Sequence, residues 1–525
     1  MTVDVSRYFS NMDGSVYALL NLPEEVVAYL FARYSRSTLS LRDDLRQMIA
    51  AEDLGALIGG AAPAQGGEAF AGLQERARAF AEKYVLGYGH SSVSEHGCVH
   101  LAIEDVSIIA SKLIEDARLA SYTEKSTRYV AFDPEKVYHP PAVMADPRLA
   151  EEYAGTIRAL LCAYTEWAEP VIAQIQSRVP RGEKQTERAY AAACRASAFD
   201  TLRYLLPAAT WTNLGLTLNA RSLEHLITKL LSQPLPEGRE LGARLKAEAQ
   251  HVLPTLLKYA DPNPYRAETE SALDALAAEI ASPALPHPRP LSLPGERGEE
   301  APPAPNSGGA GERRAVSLVA TDPDADAMLV AAILYGHAAL PMGELLGRAR
   351  AMGREMQERV VDEYLARRGK HDAPGRALER VACTMELTMD YGAYRDVQRH
   401  RMATQTTQAL SPGLGFETPP DIIRFGYEEQ YEVLMARAAA TYDRLADAGL
   451  GLYAPYVLPL ATRIRALFTW NLREVFHFVE LRSARQGHPS YRRIAQEVYR
   501  AVAEAHPLIA RYMRPNMNQY DLTRD

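Results

Sequence analysis

Apolar residues recur at three- and four-residue spacing over long stretches of this chain, the signature of helices that bury one face. The spacing predicts helices over 26–45, 150–179 and 191–206, and farther along over 324–350, 353–367, 428–448 and 491–512. Two-residue alternation is rarer. It predicts strands in CVHLAIEDV at 98–106 and VACTMELTMD at 381–390. Between 282 and 315 both patterns stop: SPALPHPRPLSLPGERGEEAPPAPNSGGAGERRA holds eight prolines and no aromatic residue. Such a stretch cannot build a core, because proline fixes φ and removes backbone donors, so it reads as an extended, solvated connector. Its GGAGE lacks a preceding strand and a following helix, which argues against a phosphate loop.

The segments on either side of the connector are related. YLLPAATWTNLGLTLNARSLEHL at 204–226 aligns without a gap to YVLPLATRIRALFTWNLREVFHF at 456–478, with nine of 23 positions identical. The identities include Tyr204 with Tyr456, Pro207 with Pro459, Asn219 with Asn471, Arg221 with Arg473 and His225 with His477. A repeat this long is not a solenoid unit. It implies a duplication that fused two copies of one domain. The expected fold is therefore α+β, two tandem helix-rich copies at 1–281 and 316–525 joined by the Pro/Gly-rich linker 282–315 and forming a pseudo-dimer.

Composition narrows the function. Of the 525 residues, 47% are hydrophobic and 24% charged, ordinary values for a soluble globular enzyme. The net charge of -8 argues against a non-specific nucleic-acid binder, which needs excess Lys and Arg to displace counterions, but leaves room for a local basic pocket. Cys98, Cys162, Cys194 and Cys383 are widely separated, with no CxxC pair, so neither a disulfide framework nor a thiolate metal site is expected. The start MTVDVSRYFSNMDGS has no basic segment followed by an apolar one, and no run of eighteen apolar residues follows. The expectation is a cytoplasmic protein with no membrane partner.

Polar chemistry concentrates in three segments. GHSSVSEH at 89–96 precedes DARLASYTEKSTRY at 116–129, where Ser121, Glu124, Ser126 and Arg128 offer phosphate donors and one acceptor if they line a loop. The alternative is a polar helix face on which Glu124 and Arg128 pair across one turn. His90 and His96 are six residues apart, not the spacing of a helical metal pair, so no metal is expected. In QRHRMATQTTQALSPGLGF at 398–416, Arg399, His400 and Arg401 read either as an anion site or as a charged surface turn. The GLG there lacks the context of a dinucleotide fingerprint.

These segments resemble the flavin-dependent thymidylate synthase family, whose signature begins RHR and continues through serine, glutamate, serine and arginine. The signature is divided between the copies. The first has the upstream GHSSVSEH, with Ser92, and then ASYTEKSTRY, but Asp116 and Ala117 replace the first arginine and the histidine. The second has RHR at Arg399 to Arg401, while Thr407, Ala409 and Ser411 replace the glutamate, the second serine and the last arginine. Downstream, a nucleotide-binding arginine matches Arg203 but is Pro455 in the second copy; the base-activating arginine matches Arg482 but is Leu230 in the first.

In this family each active site is built at a subunit interface, so the resemblance implies that the chain fused two partners and kept one composite site. It implies FAD-dependent reductive methylation of dUMP to dTMP, with methylenetetrahydrofolate and NADPH as co-substrates. Arg482 would be the catalytic group. Substrate would be held by Glu124, Lys125, Ser126, Thr127, Arg128, Arg203, Arg399 and Arg482, with Arg128 and Arg203 on the phosphate. Cofactor positions would be Ser92, Glu124, Arg399, His400 and Arg401, together with Asn219, Arg221 and His225 or Asn471, Arg473 and His477. Because the family is tetrameric, a homodimer of fused chains is implied. One departure stands out: Asp396 replaces a glutamine that contacts the nucleotide, and a carboxylate there disfavours an anion. Two further readings stay open, a non-catalytic nucleotide- or flavin-binding paralogue and a purely structural protein.

Overall fold

Strand pairing organises each half. In the computed structural model, which describes residues 4–35, 37–50, 92–128, 131–280 and 315–520, β1 (Cys98–Ser107), β2 (Ser121–Glu124) and β3 (Trp211–Asn219) form an antiparallel sheet in the order β1-β3-β2. In the second half β4 (Val316–Thr321), β5 (Ala382–Asp390), β6 (Thr404–Thr407) and β7 (Arg463–Asn471) form the order β4-β5-β7-β6. The linker 282–314 and residues 89–91, including His90, lie outside the described residues.

The two sheets share one register. Cys98 faces Asn219 as Ala382 faces Asn471, and Ser121 faces Thr217 as Thr404 faces Thr469. Glu124 and Thr407 thus hold equivalent places, opposite Leu214 and Ala466. One difference is an extra residue in β1, which passes from Ile103 opposite Leu214 to Val106 opposite Thr212, with Asp105 at φ 55°. That is a bulge, whose unpaired residue takes up the left-handed conformation. Each β1-type strand then feeds a helix whose N-terminal amides are capped, by Ser107 for Ile108–Glu115 and by Asp390 for Tyr391–Val397.

Several long helices expected from the periodicity are interrupted. The stretch 26–45 divides into Glu24–Tyr34 and Leu41–Ala50, and 150–179 into Pro147–Glu166 and Ala168–Arg178 at Trp167. Gly336 and Pro341 flank the break between Ala325–Tyr335 and Met342–Ala351, and Pro507 starts a new turn after Pro489–Ala505. The last expected helix of the first half is Glu187–Leu202, which tightens into a 3-10 turn at Arg203–Leu205.

The halves join along the repeated segment. Ala208 N–H donates to Leu458 C=O at 2.9 Å and Leu460 N–H donates to Leu206 C=O at 2.9 Å; Ala209 to Tyr456 (2.9 Å) and Ala461 to Tyr204 (3.1 Å) complete the set. Pro207 faces Pro459 at the centre. This exchange is a two-fold relation inside one chain. Around it Leu202, Leu205 and Leu206 share a single apolar cluster with Tyr456, Leu458 and Leu460, so the main core belongs to both halves. A buried polar pair is also mirrored with its partners exchanged. Ser107 Oγ donates to Glu237 (2.7 Å), which also accepts from Tyr456 (2.5 Å), whereas in the other half Ser490 donates to Asp390 beside Tyr204. Limited proteolysis is therefore expected to cut within 282–314 and leave two fragments that co-elute on gel filtration. Protection of that stretch, with cleavage elsewhere, would contradict the linker assignment.

Candidate functional site

Three neighbouring elements build the site: the end of β2, the helix Tyr391–Val397 with the turn after it, and the helix Leu472–Arg482. Glu124, the last residue of β2, is sealed from solvent. Its carboxylate accepts from Arg395 at 2.7 Å, Lys112 at 3.2 Å, Arg399 at 3.3 Å and Ser111 at 3.0 Å. Lys112 and Arg395 are each four residues past the start of their helices, so equivalent positions of the two halves converge on one acid. Burial opposes the charge, but Arg395, Lys112 and Arg399 outweigh it and hold the Glu124 carboxyl far below the ordinary range. The i,i+4 helical pairing with Arg128 is absent, because Glu124 closes a strand and Arg128 points elsewhere.

Arg128 ties the halves together. Its Nε donates to Asp200 at 2.8 Å, Nη1 to the Tyr491 hydroxyl at 3.0 Å and Nη2 to the Gln486 carbonyl at 3.0 Å. Burial pushes the Asp200 carboxyl up to about 6, against the pull of Arg128 and Arg203. The Tyr491 ring also carries the Arg482 guanidinium at 5.4 Å, and Arg128 itself at 5.8 Å. Arg203 is buried and lies 3.6 Å from Asp396, which is 3.8 Å from Arg482. Arginines of the first half and of the second thus meet around one carboxylate.

Arg482 is oriented by a relay. Its Nε–H donates to His400 Nε2 at 2.9 Å, and His400 Nδ1 is 2.9 Å from Glu474. A ring nitrogen that accepts from a guanidinium carries no proton, so Nδ1 holds the proton and donates it to Glu474. Burial holds the His400 pKa down to about 4. Nitrogen NMR of labelled histidine is expected to show a neutral, Nδ1-protonated His400 from pH 5.5 to 8. Loss of that tautomer in Glu474→Ala checks the relay; an imidazolium near neutrality would contradict it.

The other expected site residues make local contacts of their own. Ser126 Oγ accepts from the Arg128 amide at 3.2 Å, Thr127 is buried, and Lys125 turns away so that its ammonium stands 4.7 Å from the Phe132 ring centre. Arg401 donates to the Ala120 carbonyl and lies over Tyr122, on the wall of a cavity of about 170 Å³ shared with Arg118 and Asp116. Arg399 is half-exposed, so the RHR turn is neither wholly a surface turn nor wholly buried. Asn219 and Asn471 cap the helices that follow them, accepting from Ser222 and Glu474 amides at 2.9 Å. Their pairing across the repeat therefore has a structural cause. Arg221 pairs with Glu95 at 2.5 Å and Arg473 with Glu379 at 3.0 Å, again equivalent contacts. Ser92 and His225 are exposed. His477 is exposed too, but its ring is 5.3 Å from that of His400, which links the second Asn-x-Arg set to the centre. Glu379 and Arg380 also border a cavity of about 1040 Å³.

Sequence reading missed Lys112, Asp200, Arg395, Glu474 and Tyr491. Arg395 and Lys112 had a signal, the alignment of KLIEDAR with RDVQRHR one strand after the first matching pair; Asp200 and Tyr491 had none. At the reciprocal positions Leu230 is packed in the first half's core, Pro455 has no side-chain donor, Thr407 and Ala409 are exposed, and Asp116 is paired to Lys229. Among the described residues no group of three His, Cys, Asp or Glu could hold a metal, and no helix is long and apolar enough to cross a membrane.

A family model described as thymidylate synthase complementing protein matches residues 28–255 and again 317–508. The chain belongs to that family. Its two matches to the thymidylate synthase complementing family coincide with the two sheets and the internal two-fold, as a tandem duplication requires. The chain is 33% identical over 520 residues to a UPF0159 protein of Chlamydia pneumoniae, covering 96% of this chain and 92% of that one. A UPF0159 protein of Thermoplasma acidophilum is 30% identical over 84% of this chain and 89% of its own length. A flavin-dependent thymidylate synthase of Thermococcus kodakarensis is 31% identical over 147 residues, 27% of this chain and 50% of that protein.

Proposed function

We propose that the chain is a flavin-dependent thymidylate synthase that methylates dUMP at one composite site. The observation that carries this reading is the convergence of Arg128 and Arg203 with Arg399 and Arg482 around Asp396, from opposite halves, while the reciprocal positions hold Leu230 and Pro455. Arg128 and Arg203 bind the dUMP phosphate, helped by Ser126; guanidinium forks match phosphate oxygens. Arg482, held by His400, faces the uracil carbonyls and stabilises negative charge as the ring becomes nucleophilic at C5. Glu124 acts through Arg395 and Arg399, which it positions.

The donor set suits a flavin dinucleotide, because the half-exposed Arg399, the Arg401 wall and exposed His477 offer cationic and aromatic contacts for a diphosphate and a ring. Of the two Asn-x-Arg sets, the second is the better placed, because its His477 lies next to His400. Bound FAD, reduced by NADPH, would supply hydride, and methylenetetrahydrofolate would supply the methylene group. A homodimer of fused chains follows from the family's tetramer. A non-catalytic nucleotide- or flavin-binding paralogue is the second reading, favoured by the carboxylate of Asp396 in the anion seat.

The test is tritium release from 5-tritiated dUMP with methylenetetrahydrofolate and NADPH, on protein expected to purify yellow. Release that needs both co-substrates supports the synthase. Bound flavin without release supports the second reading, and colourless protein that takes up neither FAD nor dUMP overturns both.

A further inference from the structure

Asp396 is surrounded by positive charge. Its Oδ2 is 3.6 Å from Arg203 Nη1 and its Oδ1 is 3.8 Å from Arg482 Nη1, with Arg399 and Arg128 adding to the field. Burial would raise its carboxyl, but the four guanidinium groups hold it below the usual range, so it is ionised. The fold does not ask for an acid there. The equivalent residue on the helix Ile108–Glu115 is the apolar Leu113, five residues from the helix start as Asp396 is in Tyr391–Val397.

Arg203 supplies an independent observation. It is 2% exposed, yet Nε and Nη2 have no hydrogen-bond partner among the described residues. Buried guanidinium donors are normally satisfied, and unsatisfied ones mark a missing ligand or water. Gly392 packs against this group: a Cβ on it would stand 3.3 Å from Nη2 and 3.1 Å from the Asp390 carboxylate. An oxyanion at Nε and Nη2 would complete the unpaired fork and would meet the Asp396 carboxylate on the same guanidinium.

We propose that Asp396 is a built-in counter-ion that competes with the ligand's phosphate for Arg203, and so sets how weakly the site holds phosphate dianions. This rests on the reading of Arg128 and Arg203 as the phosphate seat. When a phosphate enters, Arg203 must serve it beside Asp396 in a field that Asp200 and Asp390 already share, and the phosphate and the carboxylate repel across a partly dry site. The carboxylate thereby favours ligands that bind through the base and sugar as well, over inorganic phosphate alone. It also speeds release of a nucleotide product.

Calorimetric titration of the full chain with inorganic phosphate, dUMP and deoxyuridine tests this in wild type, Asp396→Asn and Asp396→Glu. Asp396→Asn is expected to tighten phosphate and dUMP about 10-fold or more, a tenfold change being 1.4 kcal/mol. Deoxyuridine, which brings no charge, should gain less than about threefold on the same scale, and Asp396→Glu should stay near wild type. Unchanged or weaker phosphate binding in Asp396→Asn overturns the proposal. If that variant fails to fold, Asp396→Gln applies the same loss of charge. Phosphate tightened while dUMP binds no better than phosphate would sustain the counter-ion and sink the nucleotide reading; dUMP bound by wild type and indifferent to Asp396→Asn would do the reverse.

Discussion

Arg482→Ala is expected to lower turnover of dUMP by about 10³-fold while weakening dUMP binding less than about 10-fold, because a group aimed at developing charge contributes most in the transition state. The structure explains why so much would rest on one side chain. Arg482 stands at the end of the helix Leu472–Arg482 with Nε fixed by His400, and its guanidinium is over Tyr491. Single-turnover rates and dUMP affinity measured separately decide the matter. Equal losses in both would make Arg482 a binding group rather than a catalytic one. Protonating His400 would remove the acceptor for Arg482, so turnover should be insensitive to this histidine at neutral pH and fall only as pH approaches about 4.

Glu124→Ala is expected to cost about 3–5 kcal/mol of stability, the usual penalty for stripping the partner from a buried charge. Lys112 and Arg395 are each only 6% exposed and belong to different halves, so the loss loosens the junction as well as the site. Lys112 keeps Glu115, whereas Arg395 is left with no acid of comparable closeness. The exposed pair Asp116–Lys229, on the lapsed side, is the internal control: Lys229→Ala should change stability by only about 0–1 kcal/mol. Urea unfolding of both variants, followed by tryptophan fluorescence, measures the contrast. Similar losses in the two would mean that the Glu124 cluster is not the tie between the halves.

Much of this was legible in the residues. The gapless repeat at 204–226 and 456–478 disclosed the two-fold, since a duplicated interface segment must stay complementary to itself. The complementary losses at Thr407, Ser411, Leu230 and Pro455 point to a single site; in the structure Glu124 pairs with Arg399, Arg128 with Asp200, and Arg203 and Arg482 both face Asp396. The strands β3 and β7 went unassigned although they lie inside the repeat. WTNLGLTLN and RIRALFTWN alternate buried and open positions, but the helices that follow them add three- and four-residue spacing that masks the shorter period. The helix break at Trp167 is hidden because apolar spacing continues across it. The duplicated asparagines each cap a helix, a structural role that accounts for their repetition whatever else they contact. Conversely, Asp200 and Tyr491 become site residues only through tertiary contact with Arg128, which no local pattern encodes.

The central claim is that one chain, using both halves, contains the whole site, and mixing two dead variants tests it most directly. Arg128 and Arg482 flank the same Tyr491 ring within one chain. Co-expressed Arg128→Ala and Arg482→Ala chains, each expected to be inactive, should therefore remain inactive together, because every site in any assembly carries one lesion. The measurement is dUMP-dependent tritium release by the co-purified variants, compared with wild type handled identically. Release no greater than from either variant alone is the expected result; recovery of a substantial fraction of wild-type release would show that sites form between chains and would contradict the account.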